Sequence, residues 1–186
     1  MKLVLELGSG KKPYKPKKGE KVIHLDTVKL PDVEVIHDLN SFPYPFKDNS
    51  FDKIIATHVL EHLADLPRVM EELWRILKPG GILKITVPHF SSHNAFCDPT
   101  HRRYFTFETF DYWDSSTQLG KDFGFYISHK ARFKILYKEV RIRIYPFSIS
   151  FKFRNSKALK FYELYLSRIF PASEIYFELK AQKSLN

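Results

Sequence analysis

The segment His58-Val-Leu-Glu61-His62 sets two imidazoles one helical turn apart with a carboxylate beside the second. That trio has two chemical uses. Two histidines at this spacing could hold a zinc ion while the glutamate serves as base in a hydrolysis, or an imidazole with a near-neutral pKa could accept a proton from a reacting group. The first use needs the motif inside a long helix and a third ligand from another helix. Here the apolar run Lys53-Ile-Ile-Ala-Thr57 leads directly into His58, so the motif opens a strand-to-helix turn, and no metal is expected. Five of the eight histidines fall between His58 and His101, and His58, His89 and His101 are the candidates for a general base.

A second group of residues lies near the start. The stretch Leu3-Val-Leu-Glu-Leu-Gly-Ser-Gly10 is an apolar strand running into a Gly-x-Gly turn. Glycine belongs at Gly8 and Gly10 if the backbone must turn sharply and approach a ligand without Cβ interference. Asp26 ends the next apolar stretch, at the spacing where a carboxylate accepts hydrogen bonds from ribose hydroxyls, and Asp38 ends the one after it. A dinucleotide would also need a helix N-terminus for its phosphates. Residues 11–21 contain Pro13, Pro16, Gly19 and six lysines with no apolar face, so a regular helix is not expected there. A phosphate-free adenosine ligand fits better, and S-adenosylmethionine is one.

The elements that must position these groups follow from periodicity. Residues 2–7, 22–26, 33–39, 51–57 and 82–88 read as short strands, each bounded by Gly, Pro or charged turns. Leu66, Val69, Met70, Leu73, Trp74 and Leu77 recur at helical spacing, and Lys78-Pro79-Gly80-Gly81 ends that helix. Beyond a long aperiodic region, 133–145 reads as a strand, 157–170 as an amphipathic helix and 174–181 as a closing strand. Strands alternating with helices imply an α/β architecture with a mainly parallel sheet.

Four segments in this order, "LELGSG", "VIHLD", "HDLNSFPYPFKDNSFDKIIATHVLEHL" and "RILKPGGILKITVPH", resemble the successive motifs of class I S-adenosylmethionine-dependent methyltransferases, of the type 11-like kind with a short first helix. The resemblance covers roughly residues 3–90. It implies a Rossmann-like, doubly wound sheet of about seven strands with the last antiparallel, and S-adenosylhomocysteine as product. It also implies that Glu6, Gly8 and Gly10 line the methionine end of the cofactor, Asp26 the ribose, Asp38 and Leu39 the adenine edge, and Thr57 with His58 the floor beneath the sulfonium. Lys12 departs from the pattern, standing where many members have a third glycine.

The chain of 186 residues reads as a single domain, 1–186, with 90–132 as a substrate-facing insertion or lid. Arg102 and Arg103 could bind an acidic acceptor through planar contacts, or be solvated surface residues. One cysteine, Cys97, gives no internal disulfide framework, and no run approaches the roughly 20 apolar residues of a membrane span. A cytoplasmic location is expected. The net charge of +9 admits RNA as a partner, but no RNA-binding motif accompanies it, so a small-molecule acceptor is favoured. Contact of 157–170 with a membrane surface is weighed against core packing, and core packing is preferred. The competing class is a non-catalytic module that binds S-adenosylmethionine or RNA; zinc hydrolysis through the histidine motif is the remote alternative. Oligomeric state is not legible.

Overall fold

The structure, a computed structural model, describes residues 1–144, 149–153 and 156–183. Eight strands form one sheet: β1 (Lys2–Leu7), β2 (Glu20–Asp26), β3 (Val35–Ile36), β4 (Phe51–Thr57), β5 (Leu77–Pro88), β6 (Phe133–Ile144), β7 (Ile149–Phe153) and β8 (Glu174–Ala181). Their order is β3-β2-β1-β4-β5-β8-β6-β7. The first five run parallel. β8 returns antiparallel between β5 and β6, as expected of the closing strand. β7 adds an eighth, antiparallel strand at the edge. Tyr145, the expected end of the sixth strand, lies outside the described residues.

Alternation along the strands decides the two faces of the sheet. Leu5 and Leu7 of β1 pair with Ile23 and Leu25 of β2 and with Ile54 and Ala56 of β4. On this face they join one continuous core with α1 (Leu66–Ile76), through Leu66, Val69, Met70, Leu73 and Ile76, and with Phe105, Phe107, Phe110 and Trp113. The opposite face of β1, β2 and β4 holds a small cluster of Val4, Val22 and Ile55 under Tyr14. Farther along, that face becomes a charged ladder in which Lys84 pairs with Glu178 at 3.2 Å and Arg141 with Glu139 at 2.6 Å.

Residues 11–19 form no helix, as their prolines require. The segment is held by carboxylates instead. Both oxygens of Glu6 accept from the Tyr14 amide, at 2.8 and 3.0 Å, and Glu20 accepts from the Tyr14 hydroxyl at 2.9 Å and the Lys17 amide at 3.0 Å. Glu20 also pairs with Lys53, and these hydrogen bonds pull its pKa down to about 2.

Three expectations need correction. The strand expected at 82–88 starts earlier: Leu77, expected in the helix, opens β5 paired with Phe51, and Lys78–Gly81 bulge before pairing resumes at Ile82. Only Val35 and Ile36 of the expected strand 33–39 are paired. The region 90–132 is not aperiodic throughout, since it contains α2 (Asn94–Cys97) and α3 (Gln118–Ile127). Gly120 and Gly124 hide α3 in the sequence, because they lie where a Cβ would meet the Asp114 and Tyr112 carbonyl oxygens at 2.0 and 2.7 Å.

The helix expected over 157–170 is α4 (Ser156–Phe161), continued by one wide turn over 162–166. Leu159 and Tyr162 enter the core, while Phe161, Leu164, Tyr165, Ile169 and Phe170 are exposed, so only one side of it packs as expected. Among the described residues no helix is long and apolar enough to cross a membrane.

Candidate active site

Two cavities open at the carboxyl ends of the parallel strands, where open α/β sheets place their ligands. The first, of about 250 Å³, is lined by Gly8, Asp26, Thr27, His37, Asp38, Leu39, Asn40 and Val59, among others. The second, of about 530 Å³, is lined by Glu61, Ser92, His93, Cys97, Asp98, His101 and the stretch Pro171–Glu174. His58 and His62 line both.

The geometry of the first cavity is set locally. Gly8 has φ +58°, and a Cβ there would stand 2.5 Å from Val59 Cγ2, so only glycine fits this turn. Gly10 has φ +57°, and a Cβ there would meet only the Gly8 carbonyl oxygen, at 4.0 Å. Its amide donates to Asp26 Oδ2 at 2.9 Å, and the Val28 amide donates to Oδ1 at 3.1 Å. Asp38 Oδ1 likewise accepts from the Asn40 amide at 2.9 Å. Both carboxylates are fixed by backbone amides and keep acceptor capacity toward the cavity. Ser9 Oγ, in the turn itself, is buried without a hydrogen-bond partner.

Of the expected cofactor residues, Gly8, Asp26, Asp38, Leu39 and His58 line this cavity. Gly10 touches it through Asp26. Thr57 is exposed and is not among the lining residues. Glu6 does not line the cavity: its carboxylate is taken by the Tyr14 amide and by His24 Nδ1 at 2.7 Å, which anchors the helix-free segment. Alternation along β1 explains this, for Glu6 shares a face with Val4 and not with the core residues Leu5 and Leu7. His37, Thr27 and Asn40 were not anticipated. The only hint was their adjacency to the two aspartates.

His58 stands at the junction with φ +54°, a left-handed backbone rare outside glycine, and its amide is held by the Thr86 carbonyl at 2.9 Å. Its ring faces Glu174 at 3.5 Å and Glu61 at 3.4 Å. Glu174 first and Glu61 second push its pKa up to about 9, which makes it an imidazolium at neutral pH and a poor proton acceptor. His89, a second base candidate, is 0% exposed and lies in neither cavity, with its nitrogens tied to Ser91 Oγ at 2.8 Å and Glu163 Oε1 at 3.0 Å. His101 does line the second cavity; its Nδ1 donates to the Ala95 carbonyl at 3.1 Å.

The arginine pair is not at the cavity. Arg103 donates from Nε to the Leu63 carbonyl at 3.1 Å and from Nη2 to the Ala64 carbonyl at 2.5 Å, closing the turn after His62, and burial pulls its pKa down. Arg102 is exposed, and its amide donates to the Glu61 carbonyl at 2.8 Å. The Arg103 guanidinium and the Arg102 amide fasten segment 98–103 to segment 61–64, and neither arginine lines the two cavities.

Residues 16–85 match the family model of a methyltransferase domain. A demethylmenaquinone methyltransferase of Listeria monocytogenes is 44% identical over 64 residues, which is 34% of this chain and 25% of that protein. One of Bacillus mycoides is 35% identical over 57 residues, 31% of this chain and 24% of that protein. The chain thus aligns with about a quarter of the length of these relatives. Among solved structures, an S-adenosylmethionine-dependent methyltransferase of Archaeoglobus fulgidus superposes with a TM-score of 0.62 at 18% identity, over 96% of this chain and 86% of that one. The [4+2]-cyclase SpnF superposes with a TM-score of 0.56 at 16% identity, over 98% of this chain and 75% of that one. The fold is therefore the Rossmann-like one of S-adenosylmethionine-dependent methyltransferases, and the cyclase shows that this fold also carries other chemistry.

Proposed function

We propose that the chain transfers a methyl group from S-adenosylmethionine to a small-molecule acceptor, with 1–186 acting as one unit and 90–132 supplying the acceptor side. One observation carries the reading: a cleft with two backbone-fixed aspartates and a glycine turn adjoins a polar cavity of about 530 Å³, and His58 and His62 line both. The donor set fits the cofactor. Asp26 would accept from the ribose hydroxyls, Asp38 and Leu39 would meet the adenine edge, and the side-chain-free turn at Gly8 and Gly10 would admit the amino acid end. Neither carboxylate suits a phosphate, and no helix follows the glycine turn to hold one.

When bound, S-adenosylmethionine supplies an electrophilic methyl group on a sulfonium. The chain's part is alignment, since an in-line displacement depends chiefly on the placement of the acceptor. The second cavity does this with walls from residues 92–101 and 171–174. The names of the aligned relatives, demethylmenaquinone methyltransferases, agree with a small acceptor. Calorimetric titration with S-adenosylhomocysteine and, in parallel, NAD tests the reading. Binding of the first and not the second is expected; preference for NAD would overturn it.

A further inference from the structure

Glu61 is 1% exposed, and neither of its carboxylate oxygens has a hydrogen-bond partner. Buried carboxylates are ordinarily paired, hydrogen-bonded or bound to a metal. His58 approaches Glu61 Oε1 to 3.4 Å without hydrogen-bond alignment, and His101 Nε2 stands 4.0 Å from the same oxygen. One donor atom from each of Glu61, His62 and His101 lies within 4.8 Å of the others.

The surroundings of the two imidazoles fix where their lone pairs lie. His101 donates from Nδ1 to the Ala95 carbonyl at 3.1 Å, so its lone pair is on Nε2. Thr100 donates its hydroxyl proton to Asp98 Oδ1 at 2.6 Å and must therefore accept from His62 Nδ1 at 2.8 Å, which leaves the His62 lone pair on Nε2 as well. An imidazole whose far nitrogen donates to a carbonyl, or through a hydroxyl to a carboxylate, is prepared as a metal ligand.

We propose that Glu61, His62 and His101 bind one divalent transition-metal ion in the wall of the acceptor cavity. Two imidazoles and a carboxylate suit zinc or iron(II) and not magnesium or calcium. Bonds of about 2.0–2.2 Å require closer donors than 4.8 Å, and Glu61, which no hydrogen bond fixes, would turn from its 3.4 Å ion pair with His58 to close the set. All three residues line the cavity, so the ion keeps open positions toward it, where an acceptor oxygen would bind. That last role rests on the methyl-transfer reading; metal binding does not. No metal was expected because an apolar strand leads directly into His58 and sets the motif outside a long helix. The structure drops His58 from the set and supplies His101.

Tag-free full-length protein, stripped with chelator, is titrated calorimetrically with Zn²⁺, and Co²⁺ spectra report the coordination. One equivalent of Zn²⁺ is expected, with binding lost in His101→Ala and weakened about 10- to 100-fold in Thr100→Val, which removes only the group that fixes the His62 tautomer. His93→Ala, in the same cavity but outside the trio, should change affinity no more than about twofold. Circular dichroism confirms that the variants fold. No stoichiometric binding of Zn²⁺ or Co²⁺, or binding retained in His101→Ala, overturns the site. S-adenosylhomocysteine is titrated alongside: its loss alone would count against the methyl-transfer reading, and loss of metal alone against this one.

Discussion

The cofactor cleft and the acceptor cavity meet at His58 and His62, yet they are built differently. In the cleft each carboxylate is oriented by amides of short turns: Asp26 by Gly10 and Val28, Asp38 by Asn40. In the cavity the polar groups arrive from segments around residues 58–62, 92–101 and 171–174, and the most buried carboxylate, Glu61, has no hydrogen-bond partner. The cleft's two carboxylates are oriented without a ligand, whereas the cavity holds a buried carboxylate with no hydrogen bond, which a ligand would supply. A local site can be read from spacing; an assembled one cannot.

The largest expected effect separates the two directly. Asp26→Ala should lower affinity for S-adenosylhomocysteine roughly 10- to 100-fold or more, from about 1–3 kcal/mol for each ribose hydroxyl left unpaired, while Zn²⁺ affinity stays unchanged. Parallel loss of both by calorimetry would mean that the cavities are not independent. Next comes the turn. Gly8→Ala should destabilise the chain in urea by at least about 1–3 kcal/mol from backbone strain alone, and by more than Gly10→Ala, because only the Gly8 site also overlaps Val59. Equal losses would show that the turn relaxes.

A smaller effect tests the reassignment of Glu6. Glu6→Gln should cost stability of about 1–2 kcal/mol through weakened hydrogen bonds to Tyr14 and His24. Affinity for S-adenosylhomocysteine should hold within about twofold, and a tenfold loss would return Glu6 to the cofactor. The smallest effect is a pH dependence on the sheet face away from both cavities. Glu20 has a folded pKa of about 2 against an ordinary 4.5, so its stabilisation is complete above 4.5 and is lost as pH falls through about 2. The stability difference between wild type and Glu20→Gln should be full at neutral pH and shrink across that acid window; a constant difference would refute the assignment.

Much of the fold was legible from apolar patterning. β1, β2 and β4 announce themselves as short apolar runs bounded by turn residues, β6 and β8 by alternation, and the reversal of the closing strand followed from resemblance. α3 was hidden by Gly120 and Gly124, which are glycine for close packing and break the helical signal. β3 was overestimated, since His37 and Asp38 leave the sheet to line the cleft. In the cleft, the glycine turn and both aspartates could be read from spacing, but Glu6 could not be placed without knowing which face of β1 it occupied. Nothing in the sequence joins Glu61 to His101. The Arg102 amide on the Glu61 carbonyl and the Arg103 guanidinium on residues 63 and 64 make that junction, and such bonds leave no periodic trace.

The central claim is that the cofactor lies in the cleft with its methyl group at the junction of the two cavities. Binding S-adenosylmethionine carrying a ¹³C-labelled methyl and recording contacts from that methyl by nuclear Overhauser spectroscopy tests it most directly. The account predicts contacts to the ring protons of His58 or His62, absent in the matching histidine variant. Contacts instead to Asn40 or Thr27, at the aspartate end of the cleft, would contradict it.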